Sequence, residues 1–130
     1  MSRRATWVVV VVILAVIVLV PLGWQRVVLW AVGIHLRSTT RELATWEKEY
    51  GHIDAWQEAD RAIEMLEYVR GYYVPGPGYR SDAQTEAALE AQRARTLAAI
   101  AEALRDFTGE DFGTDAARWR AWRQKQKRVP

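Results

Sequence analysis

The segment WVVVVVILAVIVLVPLGW, from Trp7 to Trp24, carries no charge. A helix of that length rises about 1.5 Å per residue and is roughly 26 Å long, close to the hydrocarbon thickness of a bilayer. A tryptophan stands at each end, where water–lipid interfaces favour an indole that is apolar in body and polar at its N–H. Arg3 and Arg4 precede the run and Arg26 follows it. With Trp7, Trp24 and Trp30 they form the expected membrane anchor. Pro21 and Gly23 are expected to kink or end the helix near one interface. The next stretch, RVVLWAVGIHLR from Arg26 to Arg37, is still apolar between its arginines. It either continues the same helix, tilted, or lies along the interface with Trp30 at headgroup level.

A cleaved signal peptide is the competing reading, with MSRR as its basic n-region. The apolar run is too long for it, and Pro21 and Trp24 stand where small residues would be needed for cleavage. The expectation is an uncleaved single-pass span in a bacterial-type cytoplasmic membrane. The arginines directly before the span favour an inside N-terminus and a helical body outside the cytoplasm, against the pull of Arg26, Arg37 and Arg41.

Charge divides the chain into three blocks. Residues 1–37 contain four arginines and no acid; residues 38–115 hold all 16 acids against 8 bases; residues 116–130 carry six bases and no acid. The overall charge of +2 therefore hides a basic anchor, an acidic body and a basic tail. The absence of cysteine excludes disulfides, thiolate metal sites and thiol nucleophiles.

The body reads as all-α. Thr39 and Glu42 fit a capping box that would start a short helix through Leu43, Trp46 and Tyr50, stopped by Gly51. Asp54 is expected to begin the next helix, with Trp56, Ala59, Ile63 and Leu66 as its buried stripe and Gly71 as its end. YYVPGPGY, residues 72–79, is a loop, because Pro75 and Pro77 cannot sit inside a helix. Ser81-Asp82-Ala83-Gln84 opens a helix predicted to run to about Thr108. Its predicted inward stripe is Ala87, Ala91, Ala94, Leu97, Ala98, Ala101 and Leu104, widened by Ile100 and Phe107. Gly109 ends it and Asp115 starts the last helix, whose Trp119 and Trp122 are expected to plug the core with Phe112.

The segment LRDFTGEDFGTDAARWRAW, Leu104 to Trp122, resembles the C-terminal end of bacterial HEAT-repeat-like proteins. There an Ala/Leu-rich helix leads into a Thr-Gly-x-Asp-Phe-Gly turn and a short helix with spaced tryptophans. With the alanine-rich helix from Ser81 the resemblance covers residues 81–122. It implies a helix-hairpin scaffold that binds other proteins and no enzyme chemistry. No second copy at a 35–45-residue period is present, and a solenoid needs about three units.

No catalytic constellation emerges. Asp111-Phe112-Gly113 matches the kinase triplet, but the Gly-rich loop, strand lysine and catalytic loop are missing. Glu49-x-x-His52 has the spacing of carboxylate-bridged metal sites, yet Gly51 interrupts the helix and no second copy exists. His35, near the membrane boundary, is the residue whose type would suit a haem or chlorophyll magnesium, although a lone interfacial histidine is ordinarily just solvated. No cofactor, small-molecule substrate or nucleic acid is expected, since the acidic body would repel phosphate.

Partner contacts are expected at Tyr72, Tyr73 and Tyr79, which give the proline-rich loop an amphipathic surface. The basic tail, Arg118, Arg120, Arg123, Lys125, Lys127 and Arg128, has three readings. It complements its own helix dipole and the acidic body, adheres to anionic lipid, or meets an acidic patch on a partner. The expected function is that of a non-enzymatic accessory subunit of a larger membrane complex, in contact with lipid and with other subunits. Photosynthetic reaction-centre–antenna and respiratory complexes are the class-level analogy. The alternative is a free-standing, membrane-tethered adaptor.

Overall fold

The computed structural model describes residues 3–128, and among these every regular element is helical. Helix α1 runs from Arg3 to Glu49, α2 from Trp56 to Gly71, α3 from Ala83 to Thr108 and α4 from Ala116 to Arg128. The all-α class is as expected, but the first two expected helices are one. At 47 residues α1 is about 70 Å long, twice what a bilayer needs. Pro21 lies inside it and does not end it, and residues 26–37 continue it. The boundary drawn at residue 37 therefore falls within a helix.

The two halves of α1 meet different surroundings. Its apolar window is long enough to cross a membrane and none of that window is buried within the protein. From Gly33 onward the helix turns a stripe inward: Gly33, Leu36, Thr39 and Leu43 are buried at spacings of three and four. Thr39 is accordingly no N-cap. A helix already running through it satisfies its backbone, and its hydroxyl donates to the His35 carbonyl one turn back at 3.1 Å. Thr40 does the same to Leu36 at 2.8 Å.

Tyr50, Gly51 and the buried Ile53 reverse the chain into α2. The N-cap of α2 is Ala55, which offers no side chain; Glu58 reaches back to the Asp54 N–H at 2.8 Å instead. Ala59, Ala62, Ile63, Leu66 and Val69 form its buried face. Trp56 departs from the expected stripe: it is 42% exposed and packs edge-on against Phe107 beside Trp122.

Helix α3 opens with Asp82 as N-cap, accepting from the Thr85 N–H at 2.8 Å, and closes on Gly109 at φ +78°. It packs against both α1 and α2. Its inward face is rotated away from the expected alanine stripe: Leu89, Gln92, Arg93, Thr96, Ile100, Ala103 and Leu104 are buried. Ala87, Ala91, Ala94 and Ala98 face outward, whereas Ala101 and Leu104 are buried as expected. Three polar residues occupy the inward face because each has a partner there. Thr96 donates to the Leu43 carbonyl of α1 at 2.9 Å, Gln92 to Glu47, and Arg93 to the Val69 carbonyl of α2.

Asp115 caps α4 by accepting from the Arg118 N–H at 3.0 Å. Trp119 is fully buried, donates its indole N–H to the Gly113 carbonyl at 2.8 Å, and meets Phe112 at 4.9 Å between ring centres. Trp122 is only half-buried.

Leu43→Ala should cost about 2–5 kcal/mol and Trp119→Ala about 3–5 kcal/mol. Trp122→Ala should cost clearly less than Trp119→Ala. Ala91→Lys, on the outward face of α3, should stay within about 0.5 kcal/mol of the wild type. Chemical unfolding in detergent, followed by helical circular dichroism, measures all four. A collapse on Ala91→Lys would refute this register of α3.

Candidate functional site

α3 runs parallel to the inner half of α1, with Gly33 near Ser81 and the Leu43 carbonyl on Thr96. α2 runs back along α3, with Trp56 on Phe107 and the Val69 carbonyl on Arg93, so that Tyr73 just after α2 meets His35 at 4.5 Å. The loop after α2 therefore returns to the end of the bundle from which the apolar half of α1 projects. Tyr73 and Tyr79 flank Val74, Pro75 and Gly76 there, and with Ala31, Val32 and His35 they enclose a groove of ≈ 490 Å³. His35 is exposed, and its imidazole lies edge-to-face with Tyr73. A second groove, between the other end of the loop and α1, is lined by Gly78 and Arg80 facing Trp24, Val28 and Leu29.

The loop is held at both ends. Arg93, only 5% exposed, donates to the Val69 carbonyl at the end of α2, approaches the Tyr73 carbonyl at 3.5 Å and pairs with Glu90. Buried guanidinium is costly unless its donors are used, and here they close the C-terminal turn of α2. Tyr73 sits at φ +46°, a left-handed conformation that a bulky residue rarely adopts. At the far end Arg80 pairs with Glu86 at 3.3 Å, whose carboxylate also accepts the Ser81 N–H at 2.9 Å. Arg93 escaped the sequence reading because its neighbours Ala91 and Ala94 drew the inward stripe to themselves.

The three loop tyrosines divide. Tyr73 and Tyr79 are exposed, while Tyr72 faces back to α1 and donates its hydroxyl to Glu42 at 2.7 Å. That hydrogen bond is the main cause, ahead of burial and the carboxylate charge, that pushes the phenol up to about 12. Its contribution to stability is complete below the ordinary phenol value of 10.0 and is lost as pH rises from there through about 12.

The basic tail largely lies back on the acidic body. Arg123 donates to Asp60 at 2.8 Å and stacks its guanidinium 4.1 Å from the Trp56 ring centre. Lys127 reaches the same carboxylate at 2.9 Å, Arg120 pairs with Glu67, and Arg118 lies over Phe112 at 5.1 Å. Lys125 and Arg128 are exposed. The Arg123 hydrogen bond is the foremost reason that Asp60 stays below its ordinary value, with Lys127 assisting against partial burial. This contribution is present above the ordinary carboxylate value of 3.8 and disappears as pH falls through the depressed one.

Asp60 lies near the start of α2, at the end of the bundle opposite the apolar half of α1. From Gly33 to Glu49 the axis advances about 24 Å, several screening lengths at physiological salt. Arg123 and Lys127, paired with Asp60, are thus held away from the level at which α1 leaves the body.

The two motifs with catalytic overtones are local turns. Asp111 Oδ1 accepts the Gly113 N–H at 2.9 Å, and Gly113 takes φ +53°, a conformation suited to glycine. His52 pairs with Asp54 at 2.9 Å, and both are exposed. Among the described residues no three His, Asp or Glu side chains gather as a metal site would require.

Glu42→Gln should return Tyr72 towards 10.0, so that the late phase of a spectrophotometric tyrosine titration shrinks. Asp60→Asn should destabilise the body by about 1 kcal/mol at neutral pH. It should also flatten the loss of stability on acidification, both read by equilibrium unfolding. Compared with known proteins, the chain matches no protein family, no curated protein and no solved structure.

Proposed function

We propose that this chain is a non-enzymatic single-pass membrane protein serving as a structural or assembly subunit of a larger membrane complex. One observation carries the choice over the adaptor alternative: α1 runs unbroken from the apolar half into the core of the body. A tethered adaptor gains reach from a flexible linker, because effective concentration depends on linker length and stiffness. Here no linker separates the two parts, and Leu36 and Leu43 belong to the same helix as Val8 and Val20. The body is held at a fixed height and azimuth relative to the apolar segment, as suits a subunit that completes one particular assembly. The likeness of residues 81–122 to HEAT-repeat-like proteins supports a scaffold that contacts other proteins. An inside N-terminus in a bacterial-type cytoplasmic membrane, with the body on the opposite side, fits Arg3 and Arg4 directly before the apolar run.

Gentle detergent extraction followed by native electrophoresis tests the reading. Co-migration with other proteins at high mass is expected, and migration alone sinks it. Inserting four Gly/Ser residues between Arg26 and Val27 should leave the body folded but abolish co-migration. An adaptor would tolerate the insertion.

A further inference from the structure

We infer that the loop of residues 73–80 is a second, interfacial membrane contact that seats the body on the lipid headgroups; this rests on α1 being the span. A helix needs about 20 apolar residues to cross the hydrocarbon layer, so a span counted from Trp7 ends close to Arg26. The loop lies alongside that same stretch, with Gly78 and Arg80 facing Trp24, Val28 and Leu29 in one groove. At its other end Tyr73 abuts His35. The loop thus covers α1 from the end of the span to the first turns of the body, and a bilayer around the span has to meet it.

Its composition fits that place. Tyr79 is 74% exposed and Val74 59%, alongside Trp24 at 69% and Trp30 at 67%. Tyrosine and tryptophan concentrate at headgroup level, where ring and polar tip meet different solvents. Arg26 is exposed at the same height, and Arg80 lines the groove facing Trp24. Arg26 is positioned for lipid phosphate, while Arg80 is held at that level by its pair with Glu86. Arg93, buried beneath the loop, approaches the Tyr73 carbonyl at 3.5 Å, where the backbone is held at φ +46°.

The chain contains no cysteine, so single labels can be placed at will. Leu14→Cys, Val74→Cys, Tyr79→Cys and His52→Cys variants of the full chain are each labelled with a polarity-sensitive fluorophore. They are reconstituted in vesicles of neutral and anionic phospholipid carrying a nitroxide either at headgroup depth or near the acyl-chain end. Position 14 should be quenched most by the deep nitroxide, positions 74 and 79 most by the shallow one, and position 52, in the far turn, by neither. If 14 is quenched while 74 and 79 behave like 52, the loop contact is overturned and the span stands. If 14 is not quenched, the span reading fails and the loop inference with it.

Discussion

At Gly33 helix α1 changes its surroundings, and the remainder of the structure follows from that change. Up to residue 27 its valine, leucine and isoleucine side chains are exposed, and only Val28 and Val32 are partly covered where the loop lies against the helix. After Gly33, one stripe turns inward and the opposite face becomes polar. The approach is close there: a Cβ at position 33 would stand 2.9 Å from the Ser81 hydroxyl and 3.3 Å from an Arg37 guanidinium nitrogen, so those side chains would have to turn aside. Because the helix is not interrupted there, orientation imposed on one half is transmitted to the other.

The bundle that closes on α1 is small, and it gains specificity from polar groups as much as from apolar volume. Thr96, Gln92 and Arg93 form a row along α3 that reaches carbonyl or carboxylate partners on both neighbouring helices. No buried side-chain polar atom among the described residues is left without a partner. Each of these bonds fails if α3 slides or rotates, because an unpaired buried donor costs more than the bond itself contributes. Leu89, Ile100 and Leu104 supply the burial, and the row of polar contacts fixes the register in which it occurs.

The exposed loop tyrosines and the ion pairs of the tail occupy different parts of the bundle, the tail lying beside a second aromatic cluster of Trp56, Phe107, Phe112, Trp119 and Trp122. Tyr73 and Tyr79 gather where the apolar half of α1 emerges, while the bases of α4 fold back on Asp60 and Glu67 along α2. The acidic body and basic tail thereby neutralise one another locally, and the Arg123 guanidinium lies over the Trp56 ring. What remains outward-facing is the aromatic loop at one end and the alanine face of α3 along the side.

Several features were legible in the sequence because they depend on local physics. The apolar run, the glycine and aspartate signals at Asp82, Gly109 and Asp115, and the proline-rich loop act over a few residues whatever surrounds them. They located α3 and α4 to within a residue or two, and they set the all-α class. Other features depend on what lies across the core. Thr39 has the chemistry of an N-cap, but a helix arriving from the apolar side removes the need for one. Alanine at 87, 91, 94 and 98 reads as a packed stripe, yet alanine favours helix equally well on an exposed face. The true inward face was hidden behind Gln92, Arg93 and Thr96, whose burial is tolerable only because Glu47, Val69 and Leu43 wait opposite. The sequence by itself thus determined the elements and the apolar segment, since helix signals and hydropathy are local. Only the tertiary structure decided that apolar segment and core are one helix, which face of α3 is buried, and that the tyrosine loop returns to the apolar half of α1. Those outcomes turn on pairings between residues tens of positions apart, which no local pattern encodes.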